Sequence, residues 1–239
     1  MDYGFALRNY IRYRLHAKDE YSIHSPFMFD LFTKGLQRNA DMSQYKGLVT
    51  LAKGFAKPCL QNSLRTYRRR ALFLCRLLDY FKPKRVLIVG NDAGVYAAYF
   101  ARTLSESRIF NVLCDEKAYK GFEASFEKSD LKNVSFVCAN GEMGMKGALE
   151  QMGGVDFVFL NGECGNENLG KSLEEIMPFC TEEGMVVLGD IHLKRDMNEL
   201  WKGLCRDGRF RVCADFFLCG VAFLTNRPLK RQYYILKRR

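Results

Sequence analysis

The stretches FRVCADFF (210–217) and GVAFLT (220–225) decide how this chain folds, because only Leu218 and Cys219 stand between them. A crossover helix needs about a dozen residues or more, so two strands this close must pair antiparallel. Everything upstream keeps a different rhythm. RVLIVG (85–90), RIFNVLCD (108–115), NVSFVCA (133–139), VDFVFLNG (155–162) and GMVVLGD (184–190) are short apolar runs without alternation. Each is followed by a stretch with helical periodicity. Unalternating strands separated by helices belong to a parallel sheet covered on both faces. The expectation is an α/β fold with strand order 3-2-1-4-5 and an antiparallel C-terminal hairpin at one edge.

Before Arg85 the chain reads as helices. Phe5, Leu7, Tyr10, Ile11 and Leu15 recur at helical spacing, and Ser25-Pro26 offers an N-cap followed by proline at the first helical position. From Leu60 to Phe81, Leu64, Tyr67, Ala71, Leu74 and Leu78 fall on one side, with Arg65, Arg68, Arg69 and Arg76 mostly elsewhere. Neither a linker nor an internal repeat divides the 239 residues. The expected organisation is one domain over 1–239, with an N-terminal helical cap (1–82) on a Rossmann-like core (83–239).

The net charge of +10 is unevenly spread. Residues 1–85 hold 17 Lys and Arg against 6 Asp and Glu, residues 86–204 hold 11 against 19, and residues 205–239 hold 9 against 2. An acidic middle between two basic ends raises nucleic acid as a partner, through the Arg65–Arg70 cluster and the tail from Lys230; solvated helix faces would give the same counts. No apolar run approaches the roughly 20 residues of a membrane span, and the N-terminus is charged throughout, so a cytoplasmic protein is expected. The nine cysteines contain no CxxC pair, and several lie inside apolar strands. Buried, reduced thiols are the expectation.

In an open parallel sheet, ligands bind beyond the carboxyl ends of the strands. The first strand ends in Gly90-Asn91-Asp92-Ala93-Gly94, a turn with two glycines that lacks the spacing of a dinucleotide fingerprint. Gly90, Asp92 and Gly94 are candidates to line a cofactor, although ordinary strand–helix turns use glycine too. Asp115, ending the second strand, is placed to accept ribose hydroxyls. Asn140, ending the third, would meet an adenine ring, and Asn161 ends the fourth.

Ile23-His24-Ser25-Pro26-Phe27, the run Asp190-Ile191-His192 with Met197 and Trp201, and the hairpin residues 215–223 carry a resemblance. The chain resembles the class I S-adenosylmethionine-dependent methyltransferases, in particular a bacterial, Bacteroidetes-type, catechol O-methyltransferase-like subset that opens with an IHSPF segment. Five βα units closed by an antiparallel hairpin are that family's plan. The resemblance implies S-adenosylmethionine as cofactor and a methyl acceptor of small-molecule or macromolecular kind. Several motifs depart from the pattern: Ile88 stands where the family has an acid, Asn161 where it has Asp, and Gly189 where it has the first Asp of a pair. The related catechol-type enzymes hold Mg²⁺ at the last two places. Mg²⁺ wants hard oxygen ligands including carboxylates, and only Asp190 remains, so no metal is expected. A metal-free methyl transfer needs a base, for which His24 and His192 are the candidates, with Asp190 as the orienting partner. The alternative is a catalytically degenerate binding or scaffold protein, RNA-binding in one form.

Overall fold

The computed structural model describes residues 2–37, 42–48, 64–90, 94–139, 141, 144–161, 169–225 and 230–237. Helix α1 (Tyr3–His16) and the short α2 (Pro26–Asp30), which runs on into a π turn (Leu31–Leu36), precede the long α3 (Leu64–Phe81). Strands and helices then alternate: β1 (Arg85–Val89), α4 (Val95–Thr103), β2 (Arg108–Leu113), α5 (Glu116–Glu127), β3 (Val134–Cys138), α6 (Gly144–Met152), β4 (Val155–Leu160), α7 (Leu169–Ile176), β5 (Cys180–Gly189) and α8 (Arg195–Arg206). Strands β6 (Phe210–Asp215), β7 (Cys219–Leu224) and β8 (Gln232–Ile235) close the chain.

All eight strands form one sheet, ordered β3-β2-β1-β4-β5-β7-β6-β8. Strands β1 to β5 are parallel, and β7 runs antiparallel to both β5 and β6. The parallel core and its order are those expected. The hairpin is not an edge, however, because β8 pairs parallel with β6. The segment expected to be a basic tail therefore supplies a strand. Gln232-Tyr233-Tyr234-Ile235 is rich in residues that suit a pleated surface, and it continues into a bridge between Leu236 and Lys18. The Tyr13 hydroxyl donates to the Leu236 carbonyl at 2.5 Å, so the last strand is also tied to α1.

Strand residues alternate between two helical layers. Ile88, Phe157, Phe159 and Val187 face α3, α4 and the π turn, burying Met28, Leu31, Leu74, Leu77 and Phe100. Leu87, Val89, Val158 and Leu160 face the opposite way onto α6, α7 and α8, with Trp201 and Ile176. Apolar burial of this extent is the main driving force of folding, at about 25 cal/mol per Å². One apolar set does not reach the core. In α1 only Phe5 and Tyr13 are buried, while Leu7, Tyr10, Ile11 and Leu15 are largely exposed. Their spacing correctly marks a helix but not a core-facing stripe.

Cys114, just past β2, is disulfide-bonded, which corrects the expectation of reduced thiols throughout; Cys75, Cys138, Cys180, Cys205, Cys213 and Cys219 are free. Burial pushes the Cys75 and Cys180 thiols up to about 12, which makes them inert as nucleophiles. Among the described residues no helix is long and apolar enough to cross a membrane.

Candidate functional site

The carboxyl ends of β1, β2, β4 and β5 bring together most of the residues singled out from sequence. Gly90 leaves β1 at φ 144°, in the region that favours glycine, and its N–H donates to the Val112 carbonyl. A Cβ added there would stand 2.9 Å from the Asn161 carbonyl oxygen, so the turn lies flat against the end of β4. Gly94, at φ 70°, caps α4. Asp115 sits at the start of α5, where its Oδ1 accepts from the Lys117 N–H at 2.9 Å. Asp92 and Asn140 lie outside the described residues. Ile88, where the resemblance calls for an acid, is fully buried in the core.

The end of β5 holds a residue that sequence reading placed elsewhere. Arg70 is almost fully buried, with its guanidinium between the ends of β4 and β5. Its Nη1 donates to Asn161 Oδ1 at 3.1 Å, and its Nη2 forms an ion pair with Asp190 Oδ1. Burial alone would weaken its hold on the proton, but Tyr96 and Asp190 outweigh this and raise its pKa above that of an ordinary arginine. Gly189 makes the room: a Cβ there would meet both Arg70 Nη1 and Asn161 Oδ1 at 2.9 Å. Arg70 is therefore not part of a surface cluster with Arg68 and Arg69. The signal was present, because Arg70 lies three residues after Tyr67 and four before Leu74, in register with the buried stripe of α3.

Asp190 and His192 do not pair. Asp190 adopts a left-handed conformation at φ 57°, its N–H donates to the Leu218 carbonyl, and its carboxylate is engaged by Arg70. His192 finds another acid. Its Nε2 lies 2.7 Å from Asp215 Oδ2, in a carboxylate with 2% side-chain exposure. The Asp215 carboxylate also accepts from the Phe217 N–H at 2.8 Å and the Tyr233 hydroxyl at 3.3 Å. Burial first, and then Asp215, push the Tyr233 phenol up, which keeps it a donor. A carboxylate accepts only, so His192 Nε2 carries the hydrogen and Nδ1 presents its lone pair. Among the described residues Nδ1 has no partner, and neither have Asn161 Nδ2 and Arg70 Nε. Orphaned polar atoms are uncommon in buried positions, and all three belong to residues at the carboxyl end of the sheet. Phe217, at φ 68°, stacks on the His192 ring at 5.3 Å. Asp215 was visible in sequence only as part of a motif; a lone acid inside the apolar run VCADFF was the available sign of a buried partner.

His24 is not brought to this place. With Pro26, Phe81, Glu183, Phe223 and Gln232 it lines a cavity of about 630 Å³. That cavity lies at the amino-terminal ends of β5 and β6, the opposite end of the sheet from Gly90 and Asp190.

No protein-family model matches the chain, and no curated protein matches it significantly. Solved structures do match. A methyltransferase from Geobacter sulfurreducens aligns with 84% of this chain and 98% of its own, at 17% identity and a TM-score of 0.55. An O-methyltransferase from Bacillus cereus, crystallised with SAH, aligns with 83% of this chain and 97% of its own, at 12% identity and a TM-score of 0.55. The O-methyltransferase TomG from Streptomyces achromogenes, crystallised with SAM, covers 83% and 96%, at 14% identity and a TM-score of 0.55. At such identities the likeness is one of architecture, and the chain has the Rossmann-like fold of these methyltransferases.

Proposed function

We propose that this chain is an S-adenosylmethionine-dependent methyltransferase that works without a metal ion, of the IHSPF-containing type its sequence resembles. The observation that carries the reading is the cradle at the end of β1. There Gly90 lies so close to Asn161 that no side chain could replace its hydrogen, and among the described residues the buried Asn161 amide keeps a donor without a partner. The neighbours crystallised with SAM and SAH share this fold, which supports placing the cofactor across the Gly90 turn with Asp115 at its ribose.

Bound S-adenosylmethionine would supply a methyl group activated by a sulfonium. The chain would do the rest. Gly90 and Gly94 let the backbone approach, Asp115 accepts from ribose hydroxyls while still capping α5, and Asn161 Nδ2 donates to a polar group of the ligand. His192 Nδ1 takes the acceptor's proton as a general base, oriented by Asp215.

A divalent cation does not fit. Among the described residues no three His, Cys, Asp or Glu side chains could hold one, and the Arg70 guanidinium already occupies the gap between Asn161 and Asp190. A cation placed there would face a fixed positive charge and a single carboxylate already in use. Arg70 is a built-in cation for this end of the sheet.

The test is an affinity. Asp115→Ala should weaken S-adenosylhomocysteine binding by about 1.5–3 kcal/mol, the range for a hydrogen bond to a charged group. Unchanged affinity would put the ribose elsewhere. Absence of any binding by the unaltered protein would favour a degenerate binding or scaffold role.

A further inference from the structure

We infer that the methyl acceptor is a small, flat molecule carrying a phosphate or carboxylate, held in a cleft between α1, α3 and the β6–β7 turn. The inference rests on the methyltransferase reading and adds to it the substrate class.

The cleft encloses about 360 Å³. Its walls are aromatic: the rings of Tyr10 and Tyr13 each stand 5.2 Å from that of Phe217, edge-on in one case and tilted in the other. Three cations join them, Arg14 from α1, Arg69 from α3 and Lys237 from the segment after β8. Among the described residues no acidic side chain lines the cleft, and none of the three cations is held in an ion pair. Elsewhere on the surface Arg102 is paired with Asp130 and Arg195 with Asp2. Unpaired cations around apolar walls suit a ring with an anionic substituent: the ring stacks on the aromatic walls, and the oxyanion accepts from guanidinium and ammonium groups.

The cleft also adjoins the proposed chemistry. Phe217 forms one wall and carries the His192 ring stacked on it, 5.3 Å between centroids. Leu218 lines the cleft and accepts the Asp190 N–H. An acceptor anchored by its anion would thus lie one aromatic ring from the orphaned His192 Nδ1. A volume of 360 Å³ suits one or two fused rings and sits at the lower end of small-ligand sites. That favours a small molecule over a nucleic-acid strand, which would need a longer track of cations.

Three probes test this: 1-naphthyl phosphate, 1-naphthoate and the neutral 1-naphthol, titrated by their fluorescence into the full chain at low salt. At least one of the two anions should bind about tenfold or more tightly than naphthol, the worth of one charge-assisted contact. Which anion binds better identifies the oxyanion. The Arg69→Glu/Lys237→Glu variant should lose at least about tenfold in anion affinity, while naphthol binding stays as it was. Equal binding of naphthol, no binding of either anion, or anion affinity untouched by the charge reversals would overturn the inference. So would tight binding of a single-stranded RNA oligomer without binding of the naphthyl anions. Titration of the same samples with S-adenosylhomocysteine separates the two readings. Cofactor binding without anion binding removes the cleft alone, and anion binding without cofactor binding removes the methyltransferase reading.

Discussion

Arg70, Asp190 and Asn161 form a buried unit in which each group needs the others. Removing one partner of a buried ion pair leaves a charge with neither water nor counterion. Arg70→Ala should therefore destabilise the protein by about 3–5 kcal/mol, read from urea unfolding. Arg70→Lys should recover only part, because an ammonium cannot span Asn161 and Asp190 as a planar fork does. A loss of less than about 1 kcal/mol for Arg70→Ala would show that the pair is solvated. The His192–Asp215 pair makes a different prediction, on rate. Asp215→Asn replaces an acceptor with a group that can also donate, so the imidazole can turn its hydrogen to Nδ1. Methyl transfer should fall roughly 10²–10⁴-fold with S-adenosylhomocysteine affinity unchanged; an unaltered rate would assign the base to another residue. At this scale the sequence told half the story. Gly90, Asp115, Asn161, Asp190 and His192 were legible because strand ends are where such folds bind ligands. Their partners were not, since Arg70 reaches Asp190 across 120 positions and Asp215 reaches His192 across 23.

The elements follow the local pattern closely, and their ends are where tertiary contacts take over. β5 begins at Cys180, well before its apolar run, because it pairs with Val155 across a register shift. β8 was hidden by its short length and flanking basic residues, and it exists because β6 offers it an edge. The amino end of the sheet is pinned by one carboxylate. Asp156, on β4, accepts from the Arg85 backbone N–H at 2.9 Å and from its guanidinium Nη2 at 2.8 Å, so it locks β4 to β1. Burial pushes this carboxyl up, but the bonds from Arg85 outweigh it and hold the pKa below the usual carboxylate range. A carboxyl whose pKa is lowered by folding stabilises the folded state above its unfolded pKa of about 4. That contribution fades as the pH falls through the lowered folded value. The unaltered protein should thus exceed Asp156→Asn by about 1–2 kcal/mol at neutral pH, allowing for partial exposure. The margin should shrink as the pH drops below about 4. A margin independent of pH would mean that Asp156 acts through shape and not through charge.

Across the whole molecule the uneven charge acquires a geometry. Two basic ends far apart in sequence meet at one end of the sheet, because β8 carries Lys237 alongside α1 through the bridge of Leu236 to Lys18. The asymmetry could be counted from composition, but the meeting point depended on a strand the sequence did not reveal. The same end of the sheet holds the Gly90 turn, the Arg70 unit and the His192–Asp215 pair, whereas the larger cavity beside His24 lies at the other. The central claim is that this end binds S-adenosylmethionine with a guanidinium in the place of a metal ion. Calorimetric titration of chelator-treated protein with S-adenosylmethionine and S-adenosylhomocysteine tests it most directly. The account predicts one molecule bound per chain, with an affinity that added Mg²⁺ leaves unchanged. Absence of binding, or binding that appears only when Mg²⁺ is restored, would contradict it.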